Sequence, residues 1–116
     1  MRSLLLFCSA VALFAQPSTD LTQALTSSRQ RIDSIDDQIV KLLNERAQVV
    51  REVGLIKKQF HAPASAPGRE EQVVRRAADQ ARAPLTTSAI AGIYKVMLHE
   101  MSAMEAAEME KGSKLP

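Results

Sequence analysis

Cysteine, glycine and aromatic residues are scarce in this sequence. Its 116 residues include one cysteine, Cys8, four glycines, no tryptophan and one tyrosine, Tyr94. From residue 20 onward there is no cysteine, so disulfides cannot stabilise this part of the chain and packing must do so. A domain of about 95 residues buries a limited core by itself, which favours a fold in which two chains share one core.

These absences also exclude several classes of function. Lys and Arg number 15 against 13 Asp and Glu, and the basic residues lack the aromatic neighbours of a nucleic-acid surface. There is no Gly-rich phosphate loop, no cluster with metal-ligand spacing and no Ser-His-Asp order. His61 and His99 are isolated, and we expect both to be solvated. The sequence therefore predicts no cofactor, no metal and no nucleic-acid partner.

Residues 1–19 have the pattern of a signal peptide. Arg2 supplies a positive charge, residues 4–15 form an apolar run, and residues 15–17 resemble a cleavage region. The run is short for a bilayer span, which argues against the alternative of an uncleaved anchor. Leu13 fits the small-residue rule poorly, so the cleavage site stays open. We expect an exported protein, periplasmic or secreted, with no membrane attachment after cleavage.

The dominant feature of the remaining chain is an apolar stripe at helical spacing. Between about residues 21 and 60, apolar residues recur at intervals of three, four or seven, which predicts one long helix. At 1.5 Å per residue this helix would be about 60 Å long. The rest of the chain is too short to cover it, so we expect a homodimer. The stripe consists of Leu21, Leu25, Ile32, Ile35, Ile39, Leu42, Val49, Val53, Ile56 and Phe60.

Two further helices are predicted after a break in the pattern. Two prolines and a glycine in residues 61–68 end the first helix and form a loop. A second, weaker helix is expected over about residues 69–82, and a third follows the N-cap hydroxyls of residues 86–88. The predicted fold class is therefore all-α, with three helices per chain. We place one domain at residues 20–110 and a polar tail at 111–116.

One position on the long helix does not suit an apolar core. Counted by heptads, the stripe passes through Arg46, and a guanidinium is costly to bury unless an anion meets it. Lys57 lies eleven residues further on, on the same side of the helix and about 16 Å away along its axis. Arg29 lies about 25 Å from Arg46, so only in a dimer could it reach the same ligand. We interpret these cations as a carboxylate-binding pocket. The alternative is that the Arg46 side chain extends to the surface and pairs with Asp or Glu on a neighbouring helix.

These residues resemble the all-helical chorismate mutases, and the similarity covers about residues 21–108. It is carried by Arg29-x-x-Ile-Asp-x-Ile-Asp-x-x-Ile-x-x-Leu-Leu-x-x-Arg46, Val53-Gly54-x-x-Lys57, Arg69-Glu70 and Met97-Leu-His-Glu-Met-Ser-Ala-Met-Glu105. The resemblance implies a monofunctional enzyme that rearranges chorismate to prephenate without a cofactor. It also implies an intertwined homodimeric helical bundle with shared active sites.

The resemblance implies a role for each matching residue. Arg46, together with Arg29 of the second chain, would hold the two carboxylates of the substrate. Lys57 would donate to the ether oxygen, where negative charge develops in the transition state. Glu105 would be the second donor to that oxygen. The match in the third helix could slip by three residues, which leaves Glu108 as the alternative to Glu105.

Two more site residues come from the second helix, and three positions depart from the family pattern. Glu70 would accept from the ring hydroxyl, and Arg69 would support a carboxylate.

Ala66 stands where many relatives have an acidic residue, so one contact to the hydroxyl is in doubt. Met101 stands where a serine is common, and Ser102 is turned from it by about 100°. Glu105 stands where a neutral glutamine is common, so it would have to be protonated to donate.

Two other functions fit much of the same sequence. An isochorismate pyruvate lyase shares this fold and a similar basic pocket, and binds a closely related dicarboxylate. A non-catalytic exported helical dimer is favoured by Ala66 and Met101. The cations placed towards the core argue against it, because a scaffold alone has no need of them.

Overall fold

The computed structural model describes residues 19–111, and three α-helices account for most of them. Helix α1 is Thr19–Gln59, α2 is Pro67–Ala78 and α3 is Thr87–Lys111. This confirms the predicted all-α class with a very long first helix. The predicted signal peptide and polar tail lie outside the described residues, except where they meet the ends of α1 and α3. Within residues 19–111, no helix combines the length and apolar composition that a membrane span needs.

The apolar stripe of α1 is exposed in the single chain. The chain divides into two units, Met1–Gln38 and Ile39–Pro116, and α1 runs through the boundary. In the first unit, Leu21 and Ile32 are 50% and 55% exposed. In the second unit, Val49 is 56% exposed. The periodicity therefore predicted a helical face correctly, and that face remains open to a partner.

Helix α1 ends in a Schellman motif centred on His61. The backbone N–H of Ala62 donates to the Lys57 carbonyl at 2.8 Å, and that of His61 donates to the Lys58 carbonyl at 3.1 Å. His61 has φ 53°, the left-handed conformation usually taken by glycine at this position. The chain consequently turns sharply after α1 and enters the loop that leads to α2.

Helix α2 begins and ends earlier than predicted. Pro67 occupies its first turn. Proline suits this position because an N–H there would have no acceptor within the helix, and because its fixed φ is already helical. The helix ends at Ala78 rather than near residue 82. After Ala78 the backbone forms 3₁₀-type turns. The N–H of Gln80 donates to the carbonyl of Ala77 and the N–H of Ala81 to the carbonyl of Ala78, both at 3.0 Å.

The N-cap of α3 is Thr86, within the predicted group. Its Oγ1 accepts from the backbone N–H of Ala89 at 3.1 Å. Helix α3 packs against α2, and the buried apolar residues there are Ala77 and Leu98, each 8% exposed. Met101, 9% exposed, and Glu105, 7% exposed, lie further along α3. A carboxylate is thus among the most buried groups of the described chain, which directs attention to its partners.

Candidate active site

A cavity of about 280 Å³ lies where α1, the α1–α2 loop, α2 and α3 meet. The valines of α1 and α2, with Leu98, give it apolar walls. Charged side chains from all three helices also reach it. Of the six predicted site residues, five line this cavity: Arg46, Lys57, Arg69, Glu70 and Glu105.

Arg46 is a half-buried cation without a carboxylate partner among the described residues. Its Nη1 donates to Sδ of Met101 at 2.7 Å. A thioether is a weak acceptor, whereas a guanidinium carries five donors. The alternative of an Arg46 paired with a surface carboxylate therefore has no support in residues 19–111. The arrangement leaves most of the hydrogen-bonding capacity of Arg46 available to an anion in the cavity.

Lys57 is held by two acceptors, one on α3 and one in the α1–α2 loop. Its Nζ donates to Oε1 of Glu105 at 2.6 Å and to the backbone carbonyl of Ala64 at 2.8 Å. The Schellman motif directs the chain back from α1 and so brings the Ala64 carbonyl to Lys57. An ammonium has three donors, so a third hydrogen bond remains for a ligand. The two fixed contacts reduce the conformational freedom of a long side chain that must act at one point.

The structure places Glu105, and not Glu108, in the cavity. Only 9% of the Glu105 side chain is exposed, and it pairs with Lys57. Glu108 lies away from the cavity, where its carboxylate is 2.8 Å from Nζ of Lys111 and 3.5 Å from Nε of Arg51. The hydrogen bond from Lys111 lowers the pKa of Glu108 below its usual value. These contacts give Glu108 a surface role.

The two charged cavity residues of α2 are each held by a neighbouring side chain. Nη1 of Arg69 donates to Oε1 of Gln72 at 2.7 Å, one turn further along α2. Oε1 of Glu70 accepts from Oγ of Ser102 at 2.9 Å, across the α2–α3 interface. Ala66 also lines the cavity but offers no polar side chain there.

Ser102 is a cavity residue that the sequence did not predict. The turn of about 100° between consecutive residues suggested that Ser102 faces away from the site when Met101 faces it. Both residues line the cavity, because it lies at the junction of α3 with two other helices. The Ala64 carbonyl was also missed, since a backbone acceptor leaves no signal in residue types.

Arg29 is the one predicted site residue outside the cavity lining. It lies on α1 within Met1–Gln38, and its side chain is exposed. Within the cavity, the cations Arg46, Lys57 and Arg69 face the carboxylates Glu70 and Glu105. The lining therefore has a formal excess of one positive charge, which suits an anionic ligand.

Comparison with known proteins agrees with this site. Residues 28–106 match the family Chorismate mutase type II. The chain belongs to this family. It is 34% identical over 88 residues to the bifunctional chorismate mutase/prephenate dehydratase of Neisseria gonorrhoeae, covering 76% of this chain and 24% of that protein. It is 36% identical over 56 residues to the chorismate mutase of Methanocaldococcus jannaschii, covering 48% of this chain and 57% of that one.

A solved structure shares the fold of this chorismate mutase family member. It is the chorismate mutase of Helicobacter pylori in complex with prephenate, with a TM-score of 0.70 and 21% identity. The likeness covers 81% of this chain and 99% of the other. By contrast, the chain spans less than two thirds of the length of the two relatives above.

Gly54 allows α3 to approach α1 at the site. A Cβ at this position would lie 3.0 Å from Cγ of Glu105 and 3.5 Å from Cγ of Met109. Glu105 has little freedom to move away, because it is buried and its carboxylate is bound to Lys57, one turn from Gly54. The absence of a side chain at Gly54 therefore leaves the space in which Glu105 lies close to Lys57.

We expect Gly54→Ala to lower the free energy of unfolding by about 1 kcal/mol. The steric cost of about 1–3 kcal/mol for an extra methyl group in a packed site exceeds the gain in helix propensity, which is about 1 kcal/mol. Urea denaturation at matched protein concentration measures the difference. Gly92→Ala is the control, because Gly92 lies in α3 with no atom within 4 Å of an added Cβ. Gly92→Ala should stabilise the protein, and a similar gain for Gly54→Ala would contradict the proposed close contact.

Proposed function

We propose that this chain catalyses the rearrangement of chorismate to prephenate. The observation that carries the proposal is Arg46, a half-buried guanidinium whose one side-chain contact within residues 19–111 is a thioether, so that it can bind a carboxylate. Lys57 and Arg69 line the same cavity, so a compact dianion would meet several cations at once. The family of the chain and the prephenate complex of the Helicobacter pylori relative support the same choice of ligand.

The proposed reaction needs orientation and electrostatics rather than a nucleophile. In the [3,3] shift, the ether C–O bond breaks while a C–C bond forms between the enolpyruvyl group and the ring, and no atom leaves the molecule. Arg46 would hold a carboxylate and select the folded conformer in which the reacting carbons are close. The third N–H of Lys57 would donate to the ether oxygen as negative charge develops there.

Glu105 is the proposed second donor to the ether oxygen. A carboxylate would repel the developing charge, whereas a protonated carboxyl group donates to it. In the ligand-free chain, Glu105 pairs with Lys57. The other charged groups facing this part of the cavity are Arg46 on α1 and Arg69 and Glu70 on α2. Substrate binding would have to separate Glu105 from Lys57 and be accompanied by protonation of Glu105.

We further propose that the enzyme is a homodimer in which Arg29 of each chain completes the site of the other. The exposed apolar stripe of α1 supports this, because an uncovered face of that length is unstable in water. The resemblance assigns Arg29 to the second carboxylate of the substrate, and Arg29 does not line the cavity of its own chain. Export remains part of the proposal and is supported by the apolar run at residues 4–15.

Arg46→Ala should abolish most of the activity. Removing one partner of a buried charged contact costs about 2–5 kcal/mol, so we expect kcat/KM for chorismate to fall by roughly 30-fold to several thousand-fold. The measurement is the disappearance of chorismate by absorbance, with the product identified. The control is Arg51→Ala, which removes an exposed arginine of α1 that pairs with Glu108 outside the cavity. Arg51→Ala should keep full activity.

Three outcomes of this experiment would contradict the proposal. Equal losses for Arg46→Ala and Arg51→Ala would mean that Arg46 has no special role. Turnover of isochorismate to pyruvate, with chorismate left intact, would assign the lyase activity. A folded dimer that is inactive on both compounds would assign a non-catalytic role.

Glu105→Gln should keep the activity of the enzyme, because its amide donates a hydrogen bond in place of a protonated carboxyl group. Glu105→Ala lacks a donor, and its kcat should fall by about 100-fold or more. Glu108→Gln is the matched control, because Glu108 lies outside the cavity, and it should keep wild-type activity. Equal losses in Glu105→Gln and Glu105→Ala would show that Glu105 is not the second donor.

Two inactive variants should complement each other if sites are shared between chains. Arg29→Ala and Arg46→Ala, unfolded together and refolded, should form heterodimers with one site that carries neither substitution. We expect recovery of up to about one quarter of the wild-type activity, the share of intact sites under random pairing. Each variant refolded alone is the control. Heterodimers that form but remain inactive would rule out the shared site.

A further inference from the structure

A hydrogen bond between α2 and α3 holds one of the cavity carboxylates. Oγ of Ser102 donates to Oε1 of Glu70 at 2.9 Å. Ser102 is half-buried on α3, and Glu70 is exposed in the first turn of α2. The contact joins residues 32 positions apart in sequence. It therefore depends on the packing of the two helices and is absent from either helix alone.

The Ser102–Glu70 pair lies in a wall shared by two cavities. Both residues line the active-site cavity, and both also line a surface groove between α2 and α3. The groove carries four charged or titratable side chains of its own, Arg75, Lys95, His99 and the carboxylate Glu71. Among the described residues, Glu70 forms no ion pair with any of them. The hydroxyl of Ser102 is the group that directs the carboxylate.

The Glu70 carboxylate needs a hydrogen-bond donor such as Ser102 to keep its orientation. Glu70 is an exposed side chain with three rotatable bonds, and cations on the groove side would attract it away from the cavity. One hydrogen bond to Oε1 occupies a single acceptor site and leaves Oε2, with the rest of Oε1, available to a ligand. Ser102 thus restricts the carboxylate without using up its capacity to accept.

We propose that Ser102 is a positioning residue, which holds the Glu70 carboxylate towards the active-site cavity so that it accepts a hydrogen bond from the ring hydroxyl of the substrate. The assignment rests on the proposed function. The ring hydroxyl does not react, so its hydrogen bond forms equally in the bound substrate and in the transition state. Loss of Ser102 should consequently raise KM and leave kcat close to the wild-type value.

The test compares five variants of the full-length protein on chorismate. Ser102→Ala should raise KM by about three- to tenfold, the effect of one hydrogen bond, with kcat within about twofold of wild type. Ser102→Thr retains the hydroxyl and should restore most of the affinity. In a Glu70→Ala background, Ser102→Ala should add little, because the acceptor that Ser102 directs is already gone. Ser88→Ala removes an exposed hydroxyl from the same helix and should leave KM unchanged.

Each outcome separates this assignment from the proposed function. An inactive wild-type enzyme would overturn the proposed function and this assignment with it. An active wild-type enzyme with an unchanged KM in Ser102→Ala would overturn the assignment alone. Multiplicative effects of Ser102→Ala and Glu70→Ala would also overturn it, since the two residues would then act independently. A fall in kcat with lower thermal stability and no rise in KM would assign Ser102 a structural role instead.

Discussion

The Lys57–Glu105 ion pair is the interaction on which the site depends. Two charges are removed from water between α1 and α3, and such a pair rarely stabilises a fold as well as apolar side chains of the same volume would. Two features of the chain nevertheless accommodate the pair. Gly54 makes room for it, and the loop after His61 supplies a carbonyl as a further acceptor. The position of this costly pair in the cavity lining fits the chemical role proposed for it.

Helix α3 supplies the orienting partners for the other two helices. Met101 contacts Arg46 of α1, Ser102 contacts Glu70 of α2, and Glu105 contacts Lys57 of α1. These three residues fall within one and a half turns, so a small rotation of α3 would disturb all three contacts together. The geometry of the site is therefore a property of how α3 packs, which the buried Leu98 helps to determine.

Periodicity predicted the helices, and periodicity together with charge predicted Arg46 and Lys57, because both are visible in residue types. The other three cavity residues, Arg69, Glu70 and Glu105, followed from the resemblance to the family. The apolar spacing gave α1 within two residues at its N-terminus, and the misplaced charge of Arg46 led to the cavity. The early end of α2 and the inward side of Ser102 were missed. Both depend on tertiary contacts and on turn geometry, which a helical wheel with a fixed angle per residue does not contain. The choice between Glu105 and Glu108 likewise needed the register of α3 against α1.

The partners of Arg46 and Lys57 differ in strength, and this difference affects how each would respond to a ligand. A carboxylate arriving at Arg46 replaces a thioether, so almost no existing interaction is lost and most of the new interaction appears as affinity. A ligand at Lys57 meets a cation already bound to a carboxylate and gains correspondingly less. Under the proposed function, the substrate would be anchored at Arg46, and the contacts of Lys57 would rearrange when it binds. Anchoring and chemistry would then lie at opposite ends of one face of α1.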